Sequence, residues 1–316
     1  MSKVLLTGST GFIGSRLATC LRERGWEVWE MVRYISGGRY AYYDRPYRVF
    51  ADLKDPEAIH QGVISIKPEV VIHLAAESAV SFSFLHPRDV LVTNLLGTVD
   101  LARAALEVGV KHFIFASSSE VYGRTKNFPT TEEEPLGATS PYAVSKIACE
   151  EALRVMMHAD HLPATIARPF NTYGRALVRN PHFIVERAIT QALETGKIQL
   201  HDPNPWRDFM FREDHVAAYL AVVENWNRAV GETFNFTTGQ CWQIRQMVEA
   251  VARIVKAQTS RPVEVSFSEH SDRPWDIPKI HGNSEKAQRV LGWKPRYDLE
   301  AGLEAAVLEW RQVLSK

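Results

Sequence analysis

The sequence has few cysteines and no pattern among them. Its 316 residues include Cys20, Cys149 and Cys241, which lie far apart with no C-x-x-C pair. This scarcity excludes a disulfide framework and a zinc knuckle, and it favours a reducing cytoplasmic compartment. The eleven histidines include no H-E-x-x-H motif and no i, i+4 pair with a carboxylate. No metal site is therefore expected.

The chain also lacks an excess of charge of either sign and any long apolar run. Thirty-seven Lys and Arg residues balance thirty-seven Asp and Glu residues, so we expect no general attraction to nucleic acid or to an anionic membrane. No segment approaches the roughly 18 apolar residues of a membrane span. The first residues run directly into a strand-like segment. We therefore expect a complete, untargeted and soluble chain.

What the sequence does contain is the pattern of a large α/β protein. Short apolar or β-branched segments alternate with stretches of helical periodicity, as in βαβ units. The predicted strands are Val4–Thr7, Val28–Val32, Arg48–Ala51, Val70–Leu74, His112–Ala116 and Ala164–Ala167. The predicted helices are Ile13–Arg24, Pro56–Ile66, Asp89–Val108 and Tyr142–His158. This alternation predicts a doubly wound parallel sheet of the Rossmann type.

A glycine-rich segment, residues 7–14 (T-G-S-T-G-F-I-G), joins the first predicted strand to the first predicted helix. Backbone N–H groups and the helix dipole point to one spot there, which suits a pyrophosphate. A turn that merely needs small residues is the alternative, but the position at the head of a βαβ unit favours dinucleotide binding. The predicted cofactor-binding residues of the turn are Gly8, Thr10, Gly11, Phe12, Ile13 and Gly14.

The ends of the next two strands bear on which dinucleotide binds. The second strand runs into Arg33 with no carboxylate at its tip. An acid there would hold the ribose hydroxyls of NAD, whereas an arginine accommodates the 2′-phosphate of NADP, so NADP is favoured over NAD. A solvated role for Arg33 and a role for the nearby Glu30 stay open. Asp52 and Leu53 follow the third strand, and Asp52 either accepts from the adenine amino group or caps the following helix.

The alternation of strands and helices weakens after Arg168, where loops rich in Pro, Asn and Arg interrupt single helices. A smaller C-terminal substrate-binding lobe is predicted to begin near Tyr173. Residues 232–237 have the pattern of a strand that returns to the main sheet. The prediction therefore assigns residues 1–172 and about 216–240 to the dinucleotide-binding domain, and about 173–215 and 241–316 to the lobe.

Tyr142 and Lys146 lie four residues apart in a segment that is predicted to open a helix, and therefore on one face. A phenol has an ordinary pKa of about 10. A neighbouring ammonium and an oxidised nicotinamide both favour phenolate, so this pair can supply a base near neutral pH. A single Y-x-x-x-K pair is common by chance. Together with the glycine turn and residues 115–123 (F-A-S-S-S-E-V-Y-G), it is specific.

These motifs resemble the extended short-chain dehydrogenase/reductases, in particular the nucleotide-sugar epimerase/dehydratase family. The resemblance spans nearly the whole chain: the glycine turn, 73–78 (H-L-A-A-E-S), 94–98 (N-L-L-G-T), 115–123, Tyr142 with Lys146, 168–171 (R-P-F-N), 207–209 (R-D-F), Arg273 with Pro274, and 291–295 (L-G-W-K-P). It implies an NAD(P)-dependent enzyme that acts on a nucleotide-diphosphate sugar through oxidation at C4.

The resemblance also implies a role for each matched residue. Tyr142 would remove the proton from a sugar hydroxyl, Lys146 would hold the nicotinamide ribose, and Ser118 would bind the same sugar oxygen. Further cofactor contacts are implied for Leu74, Ala75 and Ala76, and substrate contacts for Ser78, Asn171, Arg207 and Arg273. Arginine offers bidentate donors to pyrophosphate oxygens. Ion pairs of Arg207 with Asp208 and of Arg273 with Asp272 are the alternative.

The residues after Ser118 bear on the reaction. Ser119 and Glu120 stand where simple 4-epimerases of the family typically have small neutral residues, and the run resembles GDP-mannose 4,6-dehydratases and GDP-4-keto-6-deoxymannose reductases. A carboxylate there could take the C5 proton during elimination. We therefore expect a 4,6-dehydratase first, then a 4-keto reductase, then a 4-epimerase. The alternative for Glu120 is support of the turn at Tyr122.

The same resemblance implies a homodimer. In the family, the helix that bears the tyrosine and lysine packs with the preceding long helix against the same pair of a second subunit. Both predicted segments carry apolar residues on more than one face. A non-catalytic dinucleotide-binding protein is the competing class, and the intact Ser118, Tyr142 and Lys146 argue against it.

Overall fold

A computed structural model describes residues 2–33, 47–175, 183–268 and 275–314. The strands are β1 Lys3–Thr7, β2 Glu27–Val32, β3 Arg48–Phe50, β4 Val70–His73, β5 His112–Ala116, β6 Ala164–Pro169, β7 Asn171–Tyr173, β8 Lys197–Leu200, β9 Trp206–Phe211, β10 Thr233–Phe236, β11 Cys241–Gln243, β12 Glu264–Phe267 and β13 Lys279–Ile280. The helices are α1 Gly14–Glu23, α2 Pro56–Ile66, α3 Val80–Leu85, α4 Pro87–Leu91, α5 Gly97–Glu107, α6 Pro141–Ala159, α7 Ile184–Thr195, α8 Arg212–Glu224, α9 Trp226–Ala229, α10 Ile244–Thr259, α11 Glu285–Leu291 and α12 Leu299–Leu314. Arg273 lies outside the described residues.

Within the described residues, seven parallel strands form the main sheet in the order β10-β6-β5-β4-β1-β2-β3. Apolar residues of α1, α8 and α11 cover one face of the sheet, and those of α2, α5 and α6 cover the other. The predicted doubly wound Rossmann sheet is confirmed. The strand order reverses between β1 and β4, where such sheets bind their ligands outside the carboxyl ends of the strands.

The predicted helix over 89–108 is interrupted in the structure. It consists of α4, a π-helical turn at Val92–Leu96, and α5. The backbone carbonyl of Asn94 accepts from Thr98 Oγ1 and Cys149 Sγ, and the Asn94 side chain bonds Glu77 and Ser145. The Asn94 carbonyl thus accepts from side chains as well as from the Gly97 N–H, and π-helical turns of this kind are common near functional sites.

A second core lies in the C-terminal part of the chain. Apolar residues of α7, α10 and α12 pack with β8, β9 and Tyr173. Small sheets order this region: β9 pairs with β7, β11 and β13, and β8 pairs with β12. The returning strand predicted at 232–237 is confirmed as β10, which pairs with β6. The predicted bounds of the two lobes stay a prediction. No helix in the described ranges is both long and apolar enough to cross a bilayer.

Candidate active site

The carboxyl ends of the central strands open into a cleft of about 800 Å³, which continues onto the C-terminal part of the chain. Every predicted site residue that the structure describes lines this cleft. These residues are Gly8, Thr10, Gly11, Phe12, Ile13, Gly14, Arg33, Asp52, Leu53, Leu74, Ala75, Ala76, Ser78, Ser118, Ser119, Glu120, Tyr142, Lys146, Asn171 and Arg207. The fold thus brings together residues from segments that are far apart in sequence.

The glycine turn is closed so tightly that side chains would not fit. The Gly11 N–H donates to the Gly8 carbonyl at 2.9 Å. Gly8 has a φ of +74°, and a Cβ atom at Gly14 would overlap the Gly8 carbonyl oxygen. The first turn of α1 therefore lies directly against the end of β1, with no side chain at Gly8, Gly11 or Gly14 to keep a ligand from the backbone. This cradle fits the pyrophosphate of a dinucleotide.

Among the described residues, which break off after Arg33, the tip of β2 presents Arg33 and no carboxylate to the cleft. Arg33 is exposed and lines the cleft, whereas Glu30 is 2% exposed. Glu30 accepts from Ser9 Oγ at 3.0 Å, and it pairs with Arg22 and Arg48. Although burial raises it, hydrogen bonds from Arg22 and Ser9 lower the pKa of Glu30 below its usual range. Glu30 is therefore an internal ion-pair residue.

Asp52 does not cap the following helix, so the structural alternative for this residue was wrong. The N-cap of α2 is Asp55, whose carboxylate accepts from the Ala58 N–H at 3.0 Å. Asp52 accepts instead from the Lys54 N–H at 3.0 Å, since it stands three residues too early to reach the first turn of α2. It is half-buried in the cleft lining.

Tyr142 and Lys146 lie on the first turns of α6, as the spacing predicts. The helix begins because Ser140 accepts from the Ala143 N–H and Pro141 occupies its first position. Lys146 donates to the Ala116 carbonyl at 2.6 Å. Its Nζ lies 4.7 Å from the centre of the Phe115 ring. Lys146 is thereby fixed at the end of β5, and Tyr142 lies one turn before it on the same helix.

Burial dominates the electrostatics of this pair. Burial raises the pKa of Tyr142 above its usual range, a hydrogen bond with Ser118 opposes this, and the charge of Glu120 raises it further. Burial also lowers the pKa of Lys146 to about 8. The phenol is protonated in this environment. A positive charge beside it would be needed for the phenolate to form near neutral pH.

The turn after β5 holds Ser118, Ser119 and Glu120 at the cleft. Ser118 Oγ accepts from the Glu120 N–H at 3.2 Å at the start of a 3₁₀ turn over Ser119–Tyr122. The Tyr122 hydroxyl is anchored elsewhere, because it donates to Asn235 at 2.6 Å and accepts from Arg168 at 2.8 Å. Glu120 is 9% exposed and lines the cleft.

A buried ion pair behind the catalytic helix was not recognised in the sequence. Glu150 accepts from Arg168 Nε at 2.9 Å and Nη2 at 2.6 Å, and from Ser117 Oγ at 2.5 Å. Lys146 and Glu150 thus hold Ala116 and Ser117, the two residues before Ser118. A carboxylate four residues after Lys146 on the same helical face was the available signal.

His73 ties β1, β4 and α5 together beneath the cleft. Thr98 gives its hydroxyl hydrogen to the Asn94 carbonyl, so His73 Nε2–H donates to Thr98 Oγ1 at 3.0 Å. His73 Nδ1 then accepts from the Thr7 hydroxyl at 2.7 Å, and Thr7 accepts from the Ala75 N–H at 3.1 Å. Burial lowers the pKa of His73 to about 3, so the ring is neutral.

On the opposite side of the cleft, Arg207 has a different partner from the one considered in the sequence. Its Nη2 lies 3.1 and 3.2 Å from the Asp276 carboxylate oxygens, and its Nη1 donates to the Ile277 carbonyl. Asp208 points the other way, because neighbouring positions on a strand face opposite sides. It accepts from Thr237, Thr238 and Gly239. The Arg207–Asp208 pair was therefore wrong.

No group of three or more potential metal ligands among His, Cys, Asp and Glu occurs in the described part of the chain. The site instead consists of a phosphate cradle, a serine–tyrosine–lysine cluster and a cleft-facing arginine. Together with the parallel sheet, these features define an extended short-chain dehydrogenase/reductase. The chain belongs to the family described as GDP-mannose 4,6 dehydratase, whose model matches residues 5–306.

Curated relatives carry several reaction names. The chain is 32% identical over 314 residues to a UDP-glucose 4-epimerase of Mycolicibacterium smegmatis, covering 96% of this chain and 97% of that protein. It is 27% identical over 319 residues to a GDP-6-deoxy-D-mannose reductase of Pseudomonas aeruginosa, covering 98% and 97%. It is 28% identical over 318 residues to a dTDP-D-glucose 4,6-dehydratase of Mus musculus, covering 98% and 88%.

Several solved structures have the same fold as this chain over nearly its whole length. A Thermotoga maritima UDP-glucose 4-epimerase with UDP-glucose has a TM-score of 0.89 at 29% identity, covering 99% of both chains. A Thermus thermophilus UDP-glucose 4-epimerase complex with NAD has a TM-score of 0.88 at 27% identity, covering 98% and 99%. RMD from Pseudomonas aeruginosa, complexed with NADPH, has a TM-score of 0.83 at 26% identity, covering 99% and 100%. The protein is a nucleotide-sugar-modifying enzyme of this class, and the similarity does not distinguish among the reactions.

Proposed function

We propose that the protein is an NDP-hexose 4,6-dehydratase that uses a tightly held NADP or NAD. The observation that carries the proposal is the placement of Glu120. Its carboxylate lines the cleft on the same turn as Ser118, and its charge reaches Tyr142. A 4-epimerase moves a single hydroxyl proton, whereas a 4,6-dehydratase must also remove the proton from C5.

The chain's own residues would divide the proton transfers. When bound, NAD(P) would supply the redox chemistry, hydride transfer from C4 and its return to C6. Tyr142 takes the C4 hydroxyl proton, Ser118 orients that oxygen, and Lys146 supports the phenolate with its charge. Glu120 would take the C5 proton while the C6 hydroxyl departs as water with a proton from a neighbouring acid, and Ser119 lies beside this exchange. Once hydride is back at C6, Glu120 would return a proton to C5, and exchange of that proton with solvent would place the label there. The net change is loss of one water from the sugar.

The residues that line the cleft suggest which part of it holds the cofactor and which part holds the nucleotide sugar. We assign the cofactor to the glycine turn, Arg33, Asp52 and the segment 74–76, with a preference for NADP because Arg33 is at the tip of β2. We assign the nucleotide sugar to Ser78, Asn171 and Arg207 on the lobe side. Arg273, which lies outside the described residues, belongs to the same proposal.

The reaction is tested with purified protein, UDP-, GDP-, CDP- and dTDP-hexoses, and product analysis by mass spectrometry and NMR in deuterated water. A dehydratase gives a product lighter by one water with deuterium at C5. Glu120→Gln should block product formation while still permitting hydride exchange at C4. A product of unchanged mass with no label at C5, formed equally well by Glu120→Gln, would establish epimerisation instead. Consumption of one NADPH per 4-keto sugar would establish reduction.

We also propose a homodimer through α6 and the preceding helical segment. Val144 and Val155 on α6 are 47% and 64% exposed, and Leu96 on the π-helical turn is 52% exposed. Exposed apolar side chains on neighbouring helical segments are typical of a subunit interface. Light scattering at micromolar concentration should give twice the chain mass, and Val155→Glu should lower it toward one chain. A cytoplasmic location stays a prediction from the cysteine pattern.

A further inference from the structure

A buried histidine in the cleft wall takes no part in the chemistry described above. His215 lies in the first turn of α8, is 1% exposed, and lines the cleft. Its ring stacks on Tyr219, with ring centres 5.0 Å apart and planes inclined by 24°. Nothing in the sequence distinguished this residue, because a single histidine in a helix is most often a core residue.

The hydrogen bonds around His215 fix which nitrogen carries the proton. The Thr172 hydroxyl donates to the Phe170 carbonyl at 3.1 Å. Thr172 Oγ1 therefore accepts from His215 Nδ1–H, at 2.8 Å. Burial lowers the pKa of His215 to about 3, so the ring is neutral and Nε2 carries a lone pair. Within the described chain, Nε2 has no hydrogen-bond partner, although buried acceptors are usually satisfied.

The surroundings of His215 indicate what could satisfy this acceptor. Tyr219, on which the ring stacks, is near enough to Tyr142 that Tyr142 adds to the effect of burial on its pKa. His215 is thus at the catalytic end of the cofactor site, away from Asp52. A lone pair does not bind phosphate, which offers only acceptors at neutral pH. A neutral donor at the reacting end of the cleft would satisfy this lone pair.

We propose that His215 Nε2 accepts a hydrogen bond from the carboxamide N–H of the cofactor's nicotinamide. His215 is then a positioning residue: by fixing the carboxamide, it fixes which face of the ring is turned toward Tyr142. Thr172 holds the imidazole in the required tautomer. This inference rests on the proposed use of NAD(P), and it adds a residue that discriminates the nicotinamide from the rest of the dinucleotide.

Equilibrium binding to the whole protein, from which any co-purified dinucleotide has first been removed, is measured by isothermal titration calorimetry and tests the contact without relying on turnover. The ligands are NADP⁺, its 3-acetylpyridine analogue, which lacks the amide N–H, and 2′-phospho-ADP-ribose, which lacks the ring. His215→Asn keeps a donor for Thr172 and removes the acceptor. It should weaken NADP⁺ about 5- to 50-fold and leave phospho-ADP-ribose within twofold. The acetylpyridine analogue should bind this variant and the parent equally.

Two further variants separate the contact from damage to the fold. His215→Gln carries an acceptor to about the position of Nε2 and should recover most of the NADP⁺ affinity. Thr172→Val leaves the imidazole in place, removes the acceptor for Nδ1–H, and should weaken NADP⁺ selectively. His158→Asn, an exposed position on α6, is the matched control and should change nothing.

Each contrary result has a defined meaning. Equal NADP⁺ binding by the parent and His215→Asn would overturn the inference. So would an equal loss for phospho-ADP-ribose, which would assign His215 a structural role. If the parent protein binds none of the three ligands but does bind NAD⁺ and ADP-ribose, the NADP preference fails, and the same comparison is decided with those two ligands. If it binds no dinucleotide, the proposed function itself fails.

Discussion

Two arginine–carboxylate pairs flank the cleft, and they differ in burial. The Glu150 and Arg168 side chains are 0% and 2% exposed, and they bond each other, Ser117 and Tyr122. Neither residue lines the cleft. The Arg207 and Asp276 side chains are 8% and 27% exposed, and both face the cleft.

This difference shows how the same chemical pair acquires different roles. Glu150 is saturated with donors, so Arg168 has no freedom to bind a ligand, and the pair fixes the backbone before Ser118. Arg207 holds a partner that water or ligand can reach. This placement supports the proposal that Arg207 exchanges Asp276 for the oxygens of an anionic substrate. Exposure should decide whether a substitution lowers stability or changes binding.

The largest effect on turnover is expected from removing the hydroxyl group of Tyr142. Tyr142→Phe should lower turnover at least about 1,000-fold, because it removes the group that we propose accepts the substrate proton. The affinity for NADP⁺ and the unfolding midpoint should stay near those of the parent, since only the hydroxyl is lost. Calorimetry and thermal unfolding provide these controls. Activity within tenfold of the parent would show that another group is the base.

The next largest effect, a loss of stability, is expected from substitutions in the two arginine–carboxylate pairs. Glu150→Ala should lower the free energy of unfolding by about 3–5 kcal/mol, because it leaves the Arg168 guanidinium buried without its counter-charge. Asp276→Ala should cost about 1 kcal/mol or less, because Arg207 keeps the Ile277 carbonyl and lies beside solvent. Urea unfolding measures both. Similar losses in the two variants would contradict the distinction based on burial.

The sequence was sufficient for the parts of the site that depend on local spacing. The glycine turn, the Tyr142–Lys146 face and the run after Ser118 each lie within a few residues on one element. The seven-stranded sheet follows from the strand–helix alternation because parallel pairing needs such crossovers. For these features the physical cause is contained in the segment itself.

Features that depend on distant partners were missed. Arg207 pairs with Asp276, 69 residues later, and not with its neighbour Asp208, because strand pleating turns adjacent side chains apart. The helix over 89–108 contains a π-helical turn at which Asn94 is hydrogen-bonded to Ser145 and Cys149 of α6. No periodicity in the segment itself encodes either arrangement.

The buried, neutral His73 makes the stability of the fold depend on pH. The pKa of His73 is about 3 in the fold, below its ordinary 6.5, so the unfolded chain binds a proton first. The stability that depends on neutral His73 is complete above pH 6.5 and is lost as the pH falls toward 3. At pH 5 this loss is about 2 kcal/mol. Between pH 7 and pH 5, the unfolding free energy of His73→Gln should therefore fall by about 2 kcal/mol less than that of the parent. If the parent and His73→Gln lose the same free energy of unfolding between pH 7 and pH 5, His73 is not buried and neutral.

The smallest effect is expected at Arg33, the most exposed arginine in this series, where no ion pair has to be broken. Arg33→Asp should weaken NADP⁺ about tenfold, because it replaces a cation near the 2′-phosphate with an anion in solvent. It should tighten or preserve NAD⁺, since a carboxylate can accept from the ribose hydroxyls. Glu30 cannot supply that carboxylate in the parent, because Ser9, Arg22 and Arg48 hold it inside.

Arg311→Asp on α12 makes the same charge change away from the cleft and should alter neither affinity. The Arg33 effect should shrink as salt rises, since screening weakens exposed charges first. Equal affinities of the parent for NADP⁺ and NAD⁺ would remove the basis for assigning Arg33 to the phosphate.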